Sequence, residues 1–218
     1  MKFKIDLKIF IFLLLFILTK QIEIYAILMI FAFIHELGHL ISGLLLGMKP
    51  EKIEIKPMGF SISFGIKTED YNNKIKKANQ LELKKIIVAL AGPITNFIIT
   101  FVVINIPINI LKALNIIYAN ILIFLFNMLP IYPLDGGRIC KGILHIYLGK
   151  EKANQYINNI SYIIISILTV ISSIAILYIK NIAIFLIIIY LWILVVNENK
   201  KYRMKKKIYE IIHQNYWQ

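Results

Sequence analysis

Two histidines and a glutamate, His35, Glu36 and His39, stand in the run HELGH inside an apolar stretch from Ile24 to Gly47. The only other ionisable group in that stretch is the Tyr25 phenol. Residues i and i+4 of a helix share a face, so His35 and His39 can hold one metal ion. Glu36, about 100° round the helix from His35, can reach a water beside that metal. This is the residue chemistry of zinc-assisted hydrolysis. The alternative is a pair of hydrogen-bonded core histidines. A charged side chain at the centre of a membrane helix costs roughly 2.5–3.5 kcal/mol, so polar clusters in such segments usually face protein and act in chemistry.

A catalytic zinc commonly has three protein ligands and one open position, so the chain must supply a third ligand. Asp135 is the best candidate, in the run Asn127-Met128-Leu129-Pro130-Ile131-Tyr132-Pro133-Leu134-Asp135-Gly136-Gly137-Arg138. Pro130 and Pro133 end the preceding helix, and Gly136 and Gly137 allow close backbone approach. Broken backbone of this kind is tolerated at membrane depth where it lines a wet cavity walled by protein. Asn127, at the start of the break, can donate to a substrate carbonyl or an oxyanion, or be purely structural. A third marker is Ala91-Gly92-Pro93-Ile94-Thr95-Asn96. Its Gly-Pro pair lets a neighbouring helix pack closely. Asn96 shares a face with Gly92 and either supports the site or makes an interhelical hydrogen bond.

The elements that must carry these residues follow from composition. The 218 residues are 59% hydrophobic, with a mean hydropathy of +0.73, which predicts an all-α integral membrane protein. About six spans are expected at 5–19, 24–47, 86–106, 113–131, 157–179 and 182–197. The first is read as a retained span, because no small-residue cleavage site follows it. A tight turn at Lys180-Asn181 separates the last two. Twenty-two of the 25 lysines and arginines fall in one alternating set of intervening segments and three in the other. By the positive-inside rule both termini are then cytoplasmic, and His39 and Asp135 lie toward the cytoplasmic side of their spans. The same distribution accounts for most of the net charge of +13 without a nucleic-acid partner. One cysteine, Cys140, excludes an intramolecular disulfide framework.

The polytopic membrane region is placed at 1–197, with a core near 24–138 made of the three helices that carry the candidate metal and base residues. Its loop 48–85 lies at the membrane surface. Within that loop, Lys52–Gly65 alternates with period two on both sides of Pro57-Met58-Gly59, which predicts a small β-hairpin at the cytoplasmic surface. Residues 67–85 read as a lysine-rich surface helix or loop. Residues 198–218 read as a basic cytoplasmic tail with interleaved aromatics, suited to anionic lipid headgroups.

HELGH in one span, AGPxxN in the next and LPxxPLDGG in the third strongly resemble the site-2 protease family of intramembrane zinc metalloproteases. The markers cover residues 35–138 in the expected order. The LPIYPLDGG run looks most like the stage IV sporulation branch, which processes a membrane-associated sigma-factor precursor. The resemblance implies one Zn2+ per chain held by His35, His39 and Asp135, with Glu36 as catalytic base. It also implies that Asn127, with Asn96, supports substrate or transition state. The implied partners are a membrane-associated protein substrate, regulatory membrane proteins and the lipid bilayer. The implied location is a bacterial cell membrane, and for the sporulation branch the membrane around the forespore. Two departures are visible. About 20 residues follow the last span, so no CBS domain is expected, and no PDZ insertion is seen. The Pro57-Met58-Gly59-Phe60 turn replaces a more glycine-rich one. The other functions considered are cleavage of an anti-sigma factor or peptide remnant, a non-catalytic membrane scaffold, and a metal transporter.

Overall fold

A computed structural model of the chain describes residues 2–56, 59–65, 75–106, 110–179 and 182–216. The described elements are β1 (Lys2–Ile5), α1 (Lys8–Leu18), α2 (Ile22–Leu45), β2 (Lys49–Lys56), β3 (Gly59–Gly65), α3 (Ile75–Asn105), α4 (Ile110–Asn127), α5 (Asp135–Leu148), α6 (Lys150–Ile179) and α7 (Ile182–Tyr216). Their contacts divide into two compact units, Met1–Leu129 and Pro130–Gln218.

In the first unit, α2 packs on α3, α3 on α4, and α2 also touches α4 and β3. The packing faces are small and polar. On α2 the buried residues are Tyr25, Ala32, His35, His39 and Gly43, a spacing that follows one helical face. On α3 the buried positions include Val88, Gly92, Asn96 and Thr100, one turn apart. The large apolar side chains point the other way: Ile30, Phe33 and Ile41 of α2 and Ile94, Phe97, Ile98 and Phe101 of α3 are exposed. Such an inside-out pattern is what lipid demands, since lipid tails solvate leucine as well as a core does and small residues let helix backbones meet. At Gly38 an added Cβ would fall 3.0 Å from the Ala91 carbonyl oxygen and close upon Thr95 Oγ1.

The sheet differs from expectation. β2 and β3 form the predicted antiparallel hairpin, but β1 adds to β2 in parallel, giving a mixed three-stranded sheet in the order β1-β2-β3. Lys2–Ile5 precedes, and at Ile5 overlaps, the span expected at 5–19. It is a strand, and the helix after it, α1, has 11 residues, about 16 Å at 1.5 Å per residue. That is too short to cross a hydrocarbon core of about 30 Å. Among the described residues, three helices are long and apolar enough to span a membrane: Ile22–Leu45, Asn79–Asn105 and Lys150–Ile176. Ile9–Leu18 and Ala113–Asn127 are shorter apolar helices. Of the six expected spans, those at 24–47, 86–106 and 157–179 thus match helices of spanning length among the described residues. Of the lysine-rich segment, the part from Ile75 is the first turns of α3, and the basic tail continues α7 as helix to Tyr216. The Pro57-Met58 and Lys180-Asn181 turns lie outside the described residues.

β3 lies on α2. Phe60 meets Phe33 edge to face with ring centroids 5.1 Å apart, and the Phe64 ring covers Gly43, where a Cβ would overlap it.

In the second unit, α5 packs on α6 and α6 on α7. Trp192 Nε1 donates to Thr169 Oγ1 at 3.0 Å, and Asn199 Nδ2 donates to the Tyr162 hydroxyl at 2.7 Å. The turn before α5 is anchored by Ser161 of α6. Its Oγ accepts from the Tyr132 N–H at 2.9 Å and donates to the Ile157 carbonyl at 2.7 Å. Ile131, beside it, is fully buried. Replacing Ser161 by alanine should destabilise this turn by about 1–3 kcal/mol, the cost of stranding a buried donor. In detergent the melting temperature should drop roughly 2–4 °C for each kcal/mol. An unchanged melting curve would show that the anchor contributes nothing.

Candidate metal centre

HELGH falls in the middle of α2, so its histidines are one turn apart on the buried face. His35 and His39 are each 3% exposed. Both rings are held through Nδ1. His39 Nδ1–H donates to the Val88 carbonyl of α3 at 2.6 Å, and His35 Nδ1–H donates to Asn96 Oδ1 at 2.8 Å. A backbone carbonyl accepts only, so the His39 proton resides on Nδ1. With the Nδ1 atoms protonated, neutral rings direct their Nε2 lone pairs inward. The two Nε2 atoms stand 3.1 Å apart. Two nitrogens bound tetrahedrally to one zinc at 2.0–2.1 Å lie about 3.3 Å apart, so this spacing fits a shared metal ion. Orientation of each ligand imidazole by a carbonyl acceptor on its far nitrogen is the usual support of a metal site.

Gly92 makes room for the pair. A Cβ there would fall 2.6 Å from His35 Nε2 and within overlap of the His39 ring. The Gly-Pro pair therefore does more than bring two helices together: its missing side chain is the space that the imidazole edges occupy.

Glu36 points to the sheet. Its Oε2 accepts the Ile62 N–H of β3 at 3.2 Å, and β3 is the outer strand of the sheet among the described residues. The glutamate singled out from sequence thus takes an N–H of that outer strand.

Asp135 opens α5 and is 4% exposed. A carboxylate suits a helix N-terminus, where the unpaired N–H groups carry partial positive charge. Arg138 Nη1 lies 3.5 Å from its Oδ1. Gly137 lets the turn close upon itself, since a Cβ there would meet Ile131 and the Tyr132 nitrogen. His35, His39 and Asp135 are each buried. Two imidazoles and one carboxylate are a three-ligand donor set with an open position, which fits zinc in a hydrolytic role.

The two asparagines fall differently. Asn96, fully buried, accepts from His35 Nδ1 and makes a second interhelical hydrogen bond to Asn120. Asn127 ends α4 with its Nδ2 donating to the Ile123 carbonyl at 3.0 Å, a bond within its own helix. Asn120 was missed by sequence reasoning. It is fully buried and accepts from Asn96 Nδ2 at 3.0 Å. The signal was an amide in the middle of an apolar helix, where each polar side chain needs a partner. Val88 could not be found from sequence, because any residue type offers the same carbonyl.

The profile of peptidase family M50 matches residues 23–112 and 105–171. Over 146 residues, 63% of this chain, the sequence is 32% identical to a zinc metalloprotease of Methanocaldococcus jannaschii. The chain spans 39% of that relative's length. The fold is similar to that of a site-2 protease from the same organism, with a TM-score of 0.65, 23% identity and 91% of each chain covered.

Gly92→Ala should push the imidazoles apart and weaken zinc binding on the order of tenfold or more, while the helices persist. Zinc competition titration with a chromogenic chelator, alongside circular dichroism, tests this. Unaltered affinity in a helical variant would mean that the close approach is immaterial to the metal.

Proposed function

We propose, from the premise that this chain belongs to peptidase family M50, that it is a zinc-dependent intramembrane endopeptidase. Its substrate would be a membrane-associated protein, cut within or next to its membrane segment. The observation that carries this reading is the buried pair His35 and His39, with Nε2 atoms 3.1 Å apart and Glu36 on the same helix. His35, His39 and Asp135 would hold the metal, whose contribution when bound is Lewis-acid activation of water and of the scissile carbonyl.

The remaining chemistry belongs to side chains. Glu36 takes the proton of the attacking water and returns it to the departing amine, as a positioned carboxylate can. His35 and His39 are held in one orientation by the acceptors at their Nδ1 atoms. A peptide in helical form hides its carbonyls in hydrogen bonds, so the substrate must be extended. The place of β3 as the outer described strand supports docking of such a segment by strand addition, in which the substrate would take over the Ile62 N–H that Glu36 now accepts. Asn127 is proposed to lend its carboxamide to the substrate or oxyanion, an assignment supported by its place before the Pro130–Leu134 turn.

The finer assignments are proposals too. Processing of a sporulation sigma-factor precursor, in the membrane around a forespore, is supported by the LPIYPLDGG run. Cytoplasmic termini are supported by the lysine and arginine asymmetry of the sequence. Contacts with regulatory membrane proteins would follow from the same branch.

Glu36→Gln should lower cleavage of a co-expressed membrane-tethered substrate by at least about 100-fold, with zinc retained. Full cleavage by this variant would defeat the mechanism. Asp135→Ala should bring zinc well below one ion per chain by elemental analysis. Unchanged stoichiometry would remove Asp135 from the ligand set.

A further inference from the structure

We propose that Asn120, acting through Asn96, is a positioning residue that fixes the tautomer of His35 and thereby its affinity for the metal. This rests on the metal reading given above and extends it to a residue one helix further out.

Three hydrogen bonds run in one direction. Asn120 Nδ2 donates to the Ile116 carbonyl at 2.9 Å. Asn96 Nδ2 donates to Asn120 Oδ1 at 3.0 Å. His35 Nδ1–H donates to Asn96 Oδ1 at 2.8 Å. The chain of bonds starts at a group whose polarity cannot change, because a backbone carbonyl only accepts. Asn120 must therefore turn its amide nitrogen to Ile116 and its oxygen to Asn96. Asn96 must then answer with its nitrogen, which leaves its oxygen facing His35. An acceptor at that position requires the proton on Nδ1 and leaves Nε2 to bind a cation. Flipping either amide would set oxygen against oxygen at one contact and N–H against N–H or ring proton at the other. Both asparagines are fully buried, so such a mismatch would find no compensation from bulk water.

The arrangement ties together α2, α3 and α4. It also contains its own control. His39 meets His35 through Nε2, but its Nδ1 proton is fixed directly by the Val88 carbonyl and not by either amide. A change at Asn120 should shift the proton of His35 and leave the Nδ1 proton of His39 in place.

The test compares Asn120→Leu, which removes the acceptor, with Asn120→Asp. A buried neutral carboxyl presents a carbonyl oxygen to Asn96 and an O–H to Ile116, keeping the polarity of the amide. Purified protein in detergent is titrated with zinc against a chelator, and the apo protein, labelled with 15N-histidine, is examined by NMR. Asn120→Leu should bind zinc on the order of tenfold more weakly and shift the His35 tautomer, leaving His39 as it was. Asn120→Asp should stay within about twofold of wild type, because the orienting hydrogen bond is kept. Unchanged affinity in Asn120→Leu overturns the proposal. Equal loss in both variants also overturns it, because a residue needed only for packing would give that result. Should Asn120→Leu fail to fold, Asn120→Ala takes its place with the same expectations. If wild type binds no zinc, the metal reading has failed, and the His35 tautomer alone then decides whether the relay operates.

Discussion

The approach of α3 to α2 at Gly92 is the constraint on which the rest of the first unit depends. A single hydrogen in place of a methyl lets the edges of two imidazoles lie against the α3 backbone. Because the backbones are that close, the Val88 carbonyl can reach His39 and the Asn96 amide can reach His35. The same constraint recurs at Gly38, which faces Ala91 and Thr95 from the opposite helix. Small residues on both partners, at one-turn spacing, make one continuous seam. Moving the helices apart by a methyl would lengthen every polar contact the histidines make. A neutral hydrogen bond stretched much beyond 3.2 Å holds little orientation.

Lipid explains why the seam is polar and small. In water this unit would gain stability by burying leucine and phenylalanine; in a bilayer those residues are equally well placed outside, and here they are exposed. What is left to hold the helices is close packing and hydrogen bonding between side chains. Asn96, Asn120 and Thr100 on the inner faces serve that need, and two of them also set the direction of a ligand. Polar residues at this depth are then both the adhesive of the bundle and part of its chemistry. One substitution can change both, so the Asn120→Asp comparison keeps polarity and volume while changing chemical identity.

Legibility in the sequence followed the range of the interaction. HELGH was readable because both ligands and the base lie within one helical turn. Asp135 was readable because two prolines and two glycines mark a break in apolar text. The β2–β3 hairpin was readable from its period of two. Contacts that pair distant residues left little trace. β1 is four residues long and pairs in parallel across some fifty positions, so its alternation is too short to be told from the start of a span. Asn96 could be placed on the right face, yet its partner lies 61 residues away, and nothing local names it. Asn120 lies 24 residues from Asn96, again too far for any local signal to name the pair. The six-span reading failed at α1, where apolar text suited a span but the strand before it uses up the length.

The donor set also bears on why these ligand types recur in hydrolytic chemistry. Two neutral imidazoles and one carboxylate would leave a bound dication with a formal charge of about +1, whereas four thiolates would leave it at about −2. A residual positive charge is what lowers the pKa of a water and polarises a carbonyl. That charge is kept only while the imidazoles bind through bare nitrogens, and a ring turned to the wrong tautomer would set a proton against the metal. For rings as buried as these, the tautomer is set by the protein groups that meet Nδ1. Val88 supplies it for one ring by a backbone carbonyl that no mutation of side chain can remove. His35 takes its acceptor from the Asn96 amide, whose direction must itself be fixed. The relay to Ile116 returns that choice to a backbone carbonyl.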